Sequence, residues 1–466
     1  MTPYLPKVAV PGSPNNFEVK QAMGEYIPLR EERDLYILVT GANSGLGFSI
    51  CCRLADEFLS SHPDDESLTI IFTTRSARKA QDTRRQLEQH LQSSNPSPSD
   101  SARVKFVSES VDLGDLLSVR SLTRRLLHNL PKLDAIILNA GIGGWSGLDW
   151  PAAIWGVCTD LIHQTTWPKY KLAAVGKLTN RQTKEEEEPQ LGNTFCSNVF
   201  GHYMLAHNVV PLLKRANSPN GTGRVVWVSS IEATIKFFDV NDMQGLRTLA
   251  PYESSKALTD VLALTSDLPG TAPWAVDSFM RSDTELEGTN SKAHLSTPTV
   301  HVSHPGICAT SIVPLILPLA WAMVAAFFGA RLLGSPWHTL DTYLGACSPV
   351  FLALSRQSEL ENAESPYRQG GGGRVKWGSS ASRWGKEGVA STETDGWGNG
   401  GVVGAAVVDA DRNRRRKRGM VDLTQEQKEN FEDLGRQCWK QMEELRIKWD
   451  GILDQAEQRA AAEKTK

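Results

Sequence analysis

Apolar and polar positions alternate in blocks along the first third of the chain. The run LYILV at 35–39 is short, β-rich and bounded by turn residues, which predicts a buried strand. The segment TGANSGLG at 40–47 follows it, and an apolar-patterned helix is expected over 48–59. Then come a strand at 68–73, a charged amphipathic helix at 77–91, a strand at 104–107, a helix at 116–130 and a strand at 135–138. Strands alternating with helices imply right-handed βαβ units, hence an α/β domain with a doubly wound parallel sheet of the Rossmann type. The rhythm breaks over 142–190, where Trp145, Trp150, Trp155, Trp167 and Tyr170 precede an acidic run at 185–188. That stretch reads as an insertion. The pattern resumes with a helix over 193–213, a strand at 224–228, a helix from 252 to about 264 and a strand at 299–303.

Three segments fall outside this pattern. Residues 312–330 (IVPLILPLAWAMVAAFFGA) carry no charge, and as a helix they would reach about 28 Å, near the hydrocarbon thickness of a bilayer. Pro314 and Pro318 weaken its first turns. The favoured expectation is an element that dips into one leaflet; a spanning helix and a buried core helix are the alternatives. Residues 369–418 are Gly/Ser-rich and end in the basic run RNRRRKR at 412–418, which predicts a disordered linker that can be deleted. Residues 424–463 place Phe431, Leu434, Trp439, Met442, Leu445 and Trp449 at helical spacing, the mark of an amphipathic helix. The expected plan is an N-terminal extension at 1–34, a catalytic domain at 35–311 carrying the insertion 142–190, and a hydrophobic membrane-associated segment at 312–334. The end of the domain is expected at 335–368, the linker at 369–420 and the C-terminal helix at 421–466.

Composition narrows the function. Hydrophobic residues make up 40% of the 466 positions and charged residues 22%, so a large core is available and global disorder is excluded. Lys and Arg number 50 against 53 Asp and Glu, a net charge of -3, which argues against a nucleic-acid partner. Seven cysteines without a C-x-x-C pair point away from a disulfide scaffold and towards a reducing compartment. No apolar leader core stands in 1–30, so secretion is not expected. His202 and His207 lie five apart, off one helical face, so no metal site is expected.

Chemistry concentrates in a few places. Gly41, Ser44, Gly45, Leu46 and Gly47 lie between a strand and a helix, where glycine lets a pyrophosphate approach the backbone and the helix N-terminus offers N–H donors. The next strand ends Thr73-Thr74-Arg75, with no carboxylate to bond a ribose 2′-hydroxyl; Arg75 suits a 2′-phosphate instead. Tyr252 and Lys256 stand one helical turn apart, and a nearby ammonium is expected to lower the phenol's pKa. Ser229 and Ser230 close a strand upstream, where a hydroxyl can bond a substrate carbonyl.

In this order the glycine turn, Asn139-Ala140-Gly141, Asn198, the serine pair and Tyr252-x-x-x-Lys256 resemble the short-chain dehydrogenase/reductase family over about residues 35–311. The resemblance implies that Gly41, Gly45 and Gly47 line the pyrophosphate, Asp112 bonds the adenine and Asn139 packs the cofactor. It makes Tyr252 the general acid and gives Lys256 the nicotinamide ribose. Ser230 then matches the oxyanion position with Ser229 as its competitor, and Asn198 supports a relay water. Ile307 and Thr310 belong to the loop over the nicotinamide. Residues 38–77, the Trp-rich insertion, Asn198-Val199-Phe200-Gly201-His202-Tyr203 and the apolar segment after Pro305 resemble, more narrowly, the fungal 3-keto-steroid reductases of sterol C-4 demethylation. That resemblance implies NADPH, a sterol ketone substrate and a membrane surface on the endoplasmic reticulum or lipid droplet. It also implies contact with the other enzymes of the C-4 demethylation complex. A reductase for another apolar carbonyl, retinoid or fatty-acyl, and a non-catalytic dinucleotide-binding scaffold are the competing expectations.

Overall fold

Apolar runs buried on both faces are what a parallel sheet covered by helices requires, and this chain supplies a row of them. A computed structural model describes residues 33–94, 97–183, 188–216, 220–281, 297–309 and 317–464. Strand β1 is Leu35–Val39, and helix α1, Gly45–Ser61, starts inside the glycine turn. β2 (Leu68–Thr74), α2 (Ala77–Ser94), β3 (Val104–Ser110), α3 (Leu116–Asn129) and β4 (Ala135–Leu138) follow as expected. Asp115 caps α3, its carboxylate accepting from Leu117 N and Ser118 N.

The insertion is folded rather than irregular. Strands β5 (Trp145–Leu148) and β6 (Lys171–Ala173) pair antiparallel and enclose α4 (Trp150–Thr159) and α5 (Leu161–Thr166). The helix expected at 193–213 is broken. It holds a π turn at Cys196–Phe200, continues as α6 (Gly201–Asn208), and is interrupted before Val210–Leu213. The π turn includes Asn198, and Pro211 stands at the later interruption. β7 (Arg224–Val228), α7 (Pro251–Leu264) and β8 (Thr299–His304) then complete the expected series.

With β9 at Lys376–Ala381 and β10 at Glu387–Ser391, the described strands build an eight-stranded sheet in the order β10-β9-β8-β7-β4-β1-β2-β3. All its pairings are parallel except that of the edge strand β10. The chain winds outward from β1 to β3 and returns to β4, so the sheet reverses direction between β1 and β4. At such a switch point a crevice opens at the carboxyl ends of the strands. Val39 pairs with Ile137 and Leu138 with Trp227, which puts Thr40, Asn139 and Ser229 side by side along that edge.

One expectation is corrected here. After α8 (Leu317–Leu332), α9 (Cys347–Leu354) and α10 (Gln357–Gln369), the chain does not enter a disordered linker. Residues 369–418 supply β9 (Lys376–Ala381) and β10 (Glu387–Ser391), so the catalytic domain does not end at 368. Trp377 and Trp397 are buried there, and Trp397 Nε1 donates to Arg374 O at 2.9 Å. Glycine in this stretch serves close approach: a Cβ on Gly378 would stand 2.3 Å from the His304 ring. The basic run is paired as well, Arg415 with Asp411, Arg416 with Asp422 and Lys417 with Asp395. The amphipathic helix expected at 424–463 is found as α11, Gln425–Lys464, and its apolar face joins the main core. It buries Phe431, Trp439, Met442 and Trp449, and Trp439 Nε1 donates to Leu262 O of α7 at 3.1 Å.

Residues 1–32 of the N-terminal extension, Thr310 and the start of the apolar segment, with Pro314, lie outside the described residues. Among the described residues no helix is long and apolar enough to cross a membrane.

Candidate active site

A cavity of about 820 Å³ runs along the carboxyl edge of the sheet. At one end it is floored by the glycine turn. Gly41 and Gly45 turn the chain with positive φ (69° and 57°), and a Cβ on Gly47 would meet Gly41 O at 2.2 Å. Asn139 locks this turn, its Nδ2 donating to Thr40 O at 2.9 Å and Gly41 O at 3.3 Å. Thr40 Oγ1 accepts from the backbone N–H groups of Asn139 and Ala140, at 2.9 and 3.0 Å. Behind it His202 contacts Thr40 Oγ1 at 2.8 Å and Asn198 O at 3.1 Å. Burial pushes the His202 pKa down to about 3, so the ring is a neutral prop. Ser44 occupies the N-cap position of α1, yet its hydroxyl makes no cap bond. The open helix N-terminus, the closely packed glycines and an N-cap hydroxyl that makes no cap bond fit a pyrophosphate. Thr74, Arg75, Asp112 and Leu46 line the same end, with Arg75 exposed at the end of β2. Asp112 Oδ1 accepts from Gly114 N at 2.9 Å.

The middle of the cavity holds the candidate reactive groups. Ser229, Ser230, Tyr252 and Lys256 all line it. The two serines differ. Ser229 is buried and donates to Lys256 O at 3.3 Å. Ser230 is less buried, accepts from Glu232 N at 3.1 Å, and is hydrogen-bonded to Tyr252. The geometry therefore leaves Ser230 facing the phenol.

Lys256 Nζ donates to Val228 O at 2.8 Å and stands 5.9 Å from the centre of the Tyr252 ring. The expected lowering of the Tyr252 pKa is not found. Burial, followed by the Glu232 charge, holds it above the ordinary phenol value, against the opposing bond to Ser230. The ammonium is engaged by a backbone carbonyl rather than by the phenol. Burial also brings Lys256 down to about 8, opposed by Asp260.

Asn198 is buried in the π turn, where it accepts from Ile142 N at 2.8 Å and donates to Ile142 O at 3.0 Å. It thereby fixes the chain where the insertion begins. Ile307 stands in the loop after β8, its N–H donating to Trp337 O at 2.6 Å. His304 Nδ1 accepts from Gly306 N at 3.0 Å and its Nε2 contacts Thr392 Oγ1 at 2.8 Å, which fixes the start of that loop.

The far end is apolar. Trp150, Ile154 and Val157 of α4 face it from one side, and Leu319, Met323 and Phe327 of α8 from the other.

Several contributors escape a reading by motif. Lys376 of β9 donates to Ser230 O at 2.7 Å and to Asp260 Oδ2 at 2.5 Å. Lys171 of β6 pairs with Glu232 and Glu253 beside Tyr252. The spacing of Asp260, one turn after Lys256, was the only signal in the sequence. The two lysines come from segments with no motif.

No family model matches this chain. It is 60% identical to the 3-keto-steroid reductase erg27 of Aspergillus fumigatus, over 92% of this chain and 97% of that one. It is 38% identical to the 3-keto-steroid reductase of Gibberella zeae, over 92% and 96%. It is 32% identical to that of Schizosaccharomyces pombe, over 77% and 90%. Among solved structures, a short-chain type dehydrogenase/reductase from Mycobacterium ulcerans is 15% identical over 70% of this chain and 85% of its own, with a TM-score of 0.39. A likeness that loose carries no argument about substrate.

Proposed function

This chain belongs to the 3-keto-steroid reductases, within the short-chain dehydrogenases/reductases, and we propose that it reduces the 3-keto group of a sterol to the 3β-alcohol with NADPH during sterol C-4 demethylation. One observation carries the reading. Ser230, Tyr252 and Lys256 meet in the middle of a cavity that has a pyrophosphate cradle at one end and apolar walls at the other.

Gly41, Gly45 and Gly47 would hold the nicotinamide cofactor, which would supply the hydride for the carbonyl carbon. The chain supplies the rest. Ser230 donates a hydrogen bond to the carbonyl oxygen, and Tyr252 gives that oxygen its phenolic proton as charge develops there. A phenol held above its ordinary pKa stays protonated through the neutral range, which suits a proton donor. Lys256 presents an ammonium fixed by Val228 O, and Asn198 holds the adjoining loop. The walls from α4 and α8 offer an apolar surface to the substrate.

Arg75 supports NADPH over NADH. It stands exposed at the cavity end, and no carboxylate follows β2. One charge-assisted pair is worth about 1.5–3 kcal/mol, or roughly ten- to a hundred-fold in affinity. Arg75→Ala should weaken NADPH by that factor and leave NADH nearly unchanged; equal losses would remove the assignment. In the same assay, purified protein should oxidise NADPH only when given a 3-keto sterol. Failure to do so would overturn the proposed reaction.

A membrane surface is part of the same proposal. Ile154 and Trp155 of α4 and Trp321 and Phe328 of α8 are exposed on the two helices that wall the apolar end. Large aromatic groups of this kind favour the headgroup level. A nearly water-insoluble ketone would then enter from one leaflet of the endoplasmic reticulum, on its cytosolic face, or from a lipid droplet. Its supply from an insoluble precursor suits contact with the other C-4 demethylation enzymes. Trp155→Glu with Trp321→Glu should release the protein from membrane fractions while sparing NADPH binding. Wild type that floats free of membranes would sink this part.

A further inference from the structure

Beside Tyr252 lies a charged cluster that the reaction just described does not use. Lys171 rises from β6 of the insertion. Its ammonium is ion-paired with Glu232 and lies 3.8 Å from Glu253. It also stands 4.1 Å from the centre of the Trp145 ring and 5.6 Å from that of Tyr252. The three side chains are largely shielded, at 9%, 15% and 12% exposure for Lys171, Glu232 and Glu253. They come from three places in the chain: the insertion, the loop after β7 and the first turn of α7.

We propose that Lys171 is a positioning residue: it neutralises the Glu232–Glu253 carboxylate pair beside Tyr252 and so keeps that phenol able to release its proton to substrate. The proposal rests on Tyr252 being the proton donor. The groups that face the phenol are Glu253 and Lys256 on its own helix, Glu232 after β7, Lys171 on β6 and Cys308 after β8. Two of them are carboxylates, and each, when ionised, makes loss of the phenolic proton harder. Lys256 is turned to Val228 O, so Lys171 is the cation in contact with those carboxylates. Burial and the neighbouring Glu232 already hold the Glu253 acid above its usual range. The arrangement also gives the insertion a chemical task. It closes the cavity with Trp145 on Tyr252, ring centres 5.0 Å apart, and brings the compensating charge with it.

The test uses the full chain and two variants that push in opposite directions. Glu232→Gln should lower the pH at which Tyr252 ionises, and Lys171→Met should raise it, each by about one pH unit. The double variant should return towards wild type. Ionisation is read in two ways: by the phenolate absorbance missing from Tyr252→Phe, and by the acidic limb of sterol alcohol oxidation, the reverse reaction. If Lys171 only tacks the insertion down, Lys171→Met loses melting temperature, neither titration moves, and Glu232→Gln rescues nothing; that result overturns the proposal. Should Lys171→Met fail to fold, an unmoved titration in Glu232→Gln overturns it alone. The absorbance readout needs no sterol. Shifted titrations in a protein that turns over no sterol would therefore remove the proposed reaction and keep this inference.

Discussion

Tyr252→Phe is expected to lower the rate of ketone reduction by roughly a hundred- to ten-thousand-fold, the usual worth of a positioned general acid. The affinity for NADPH should stay near that of wild type. The ring is retained, so its packing against Trp145 survives, as does the Lys171 ammonium 5.6 Å from its centre. What disappears is the hydroxyl hydrogen-bonded to Ser230. Reduction by the wild type should hold level through neutral pH, because burial and Glu232 keep the phenol protonated there. The rate should fall above about pH 8, where Lys256 loses its charge. The sign follows from the shift. Burial lowers the lysine's pKa, so its ammonium is present below that value and lost above it. Steady-state rates from pH 6 upward check both statements, with cofactor titration by fluorescence as the control. A phenylalanine variant that turns over near normally would show that another group delivers the proton.

The first half of the fold was legible because each element carries its own signal. The run at 35–39 is apolar on both faces and short, and β1 occupies just those residues. The Tyr252/Lys256 spacing needs only helical periodicity, and α7 delivers it. The failures are equally physical. Gly-rich composition suggests a disordered linker, but among residues 369–418 glycine permits contact, as at Gly378 against His304. Two buried tryptophans in that stretch, Trp377 and Trp397, were the signal that a packed element was present. The expected lowering of the Tyr252 pKa fails because spacing places Lys256 on the right face and cannot say where its ammonium is bonded. That bond goes to Val228 O, on a strand nearly thirty residues away. Ser229 and Ser230 are alike in sequence. The register of β7 decides between them, since Ser229 N donates to Ser303 O and continues the ladder while Ser230 leaves it.

Lys376→Met is expected to cost about 3–5 kcal/mol of stability near neutral pH, because it leaves a buried carboxylate without its partner. Lys376 and Asp260 are 3% and 2% exposed, and their pair at 2.5 Å lies beneath Ser230. Burial already raises the Asp260 pKa, and the Lys376 ammonium is the largest opposing influence. Without that ammonium the carboxyl must take up a proton or remain charged and unpaired. Its pKa in the folded variant then lies above the unfolded value. The variant should recover part of its loss as the pH falls towards the ordinary carboxylate range of about 4, and be worst above the folded pKa. Activity should fall with stability, since the same ammonium donates to Ser230 O and helps set that hydroxyl against Tyr252. Denaturant unfolding at about pH 7 and about pH 5 measures the first effect, and turnover at a temperature where both proteins are folded measures the second. A loss well under about 1 kcal/mol, the same at both pH values, would mean that the pair adds no net stability over an apolar side chain. Lys376 belongs to the stretch whose composition suggested a dispensable linker. Removing residues 369–418 should therefore abolish folding: it takes out two strands of the sheet together with the charge that holds the serine.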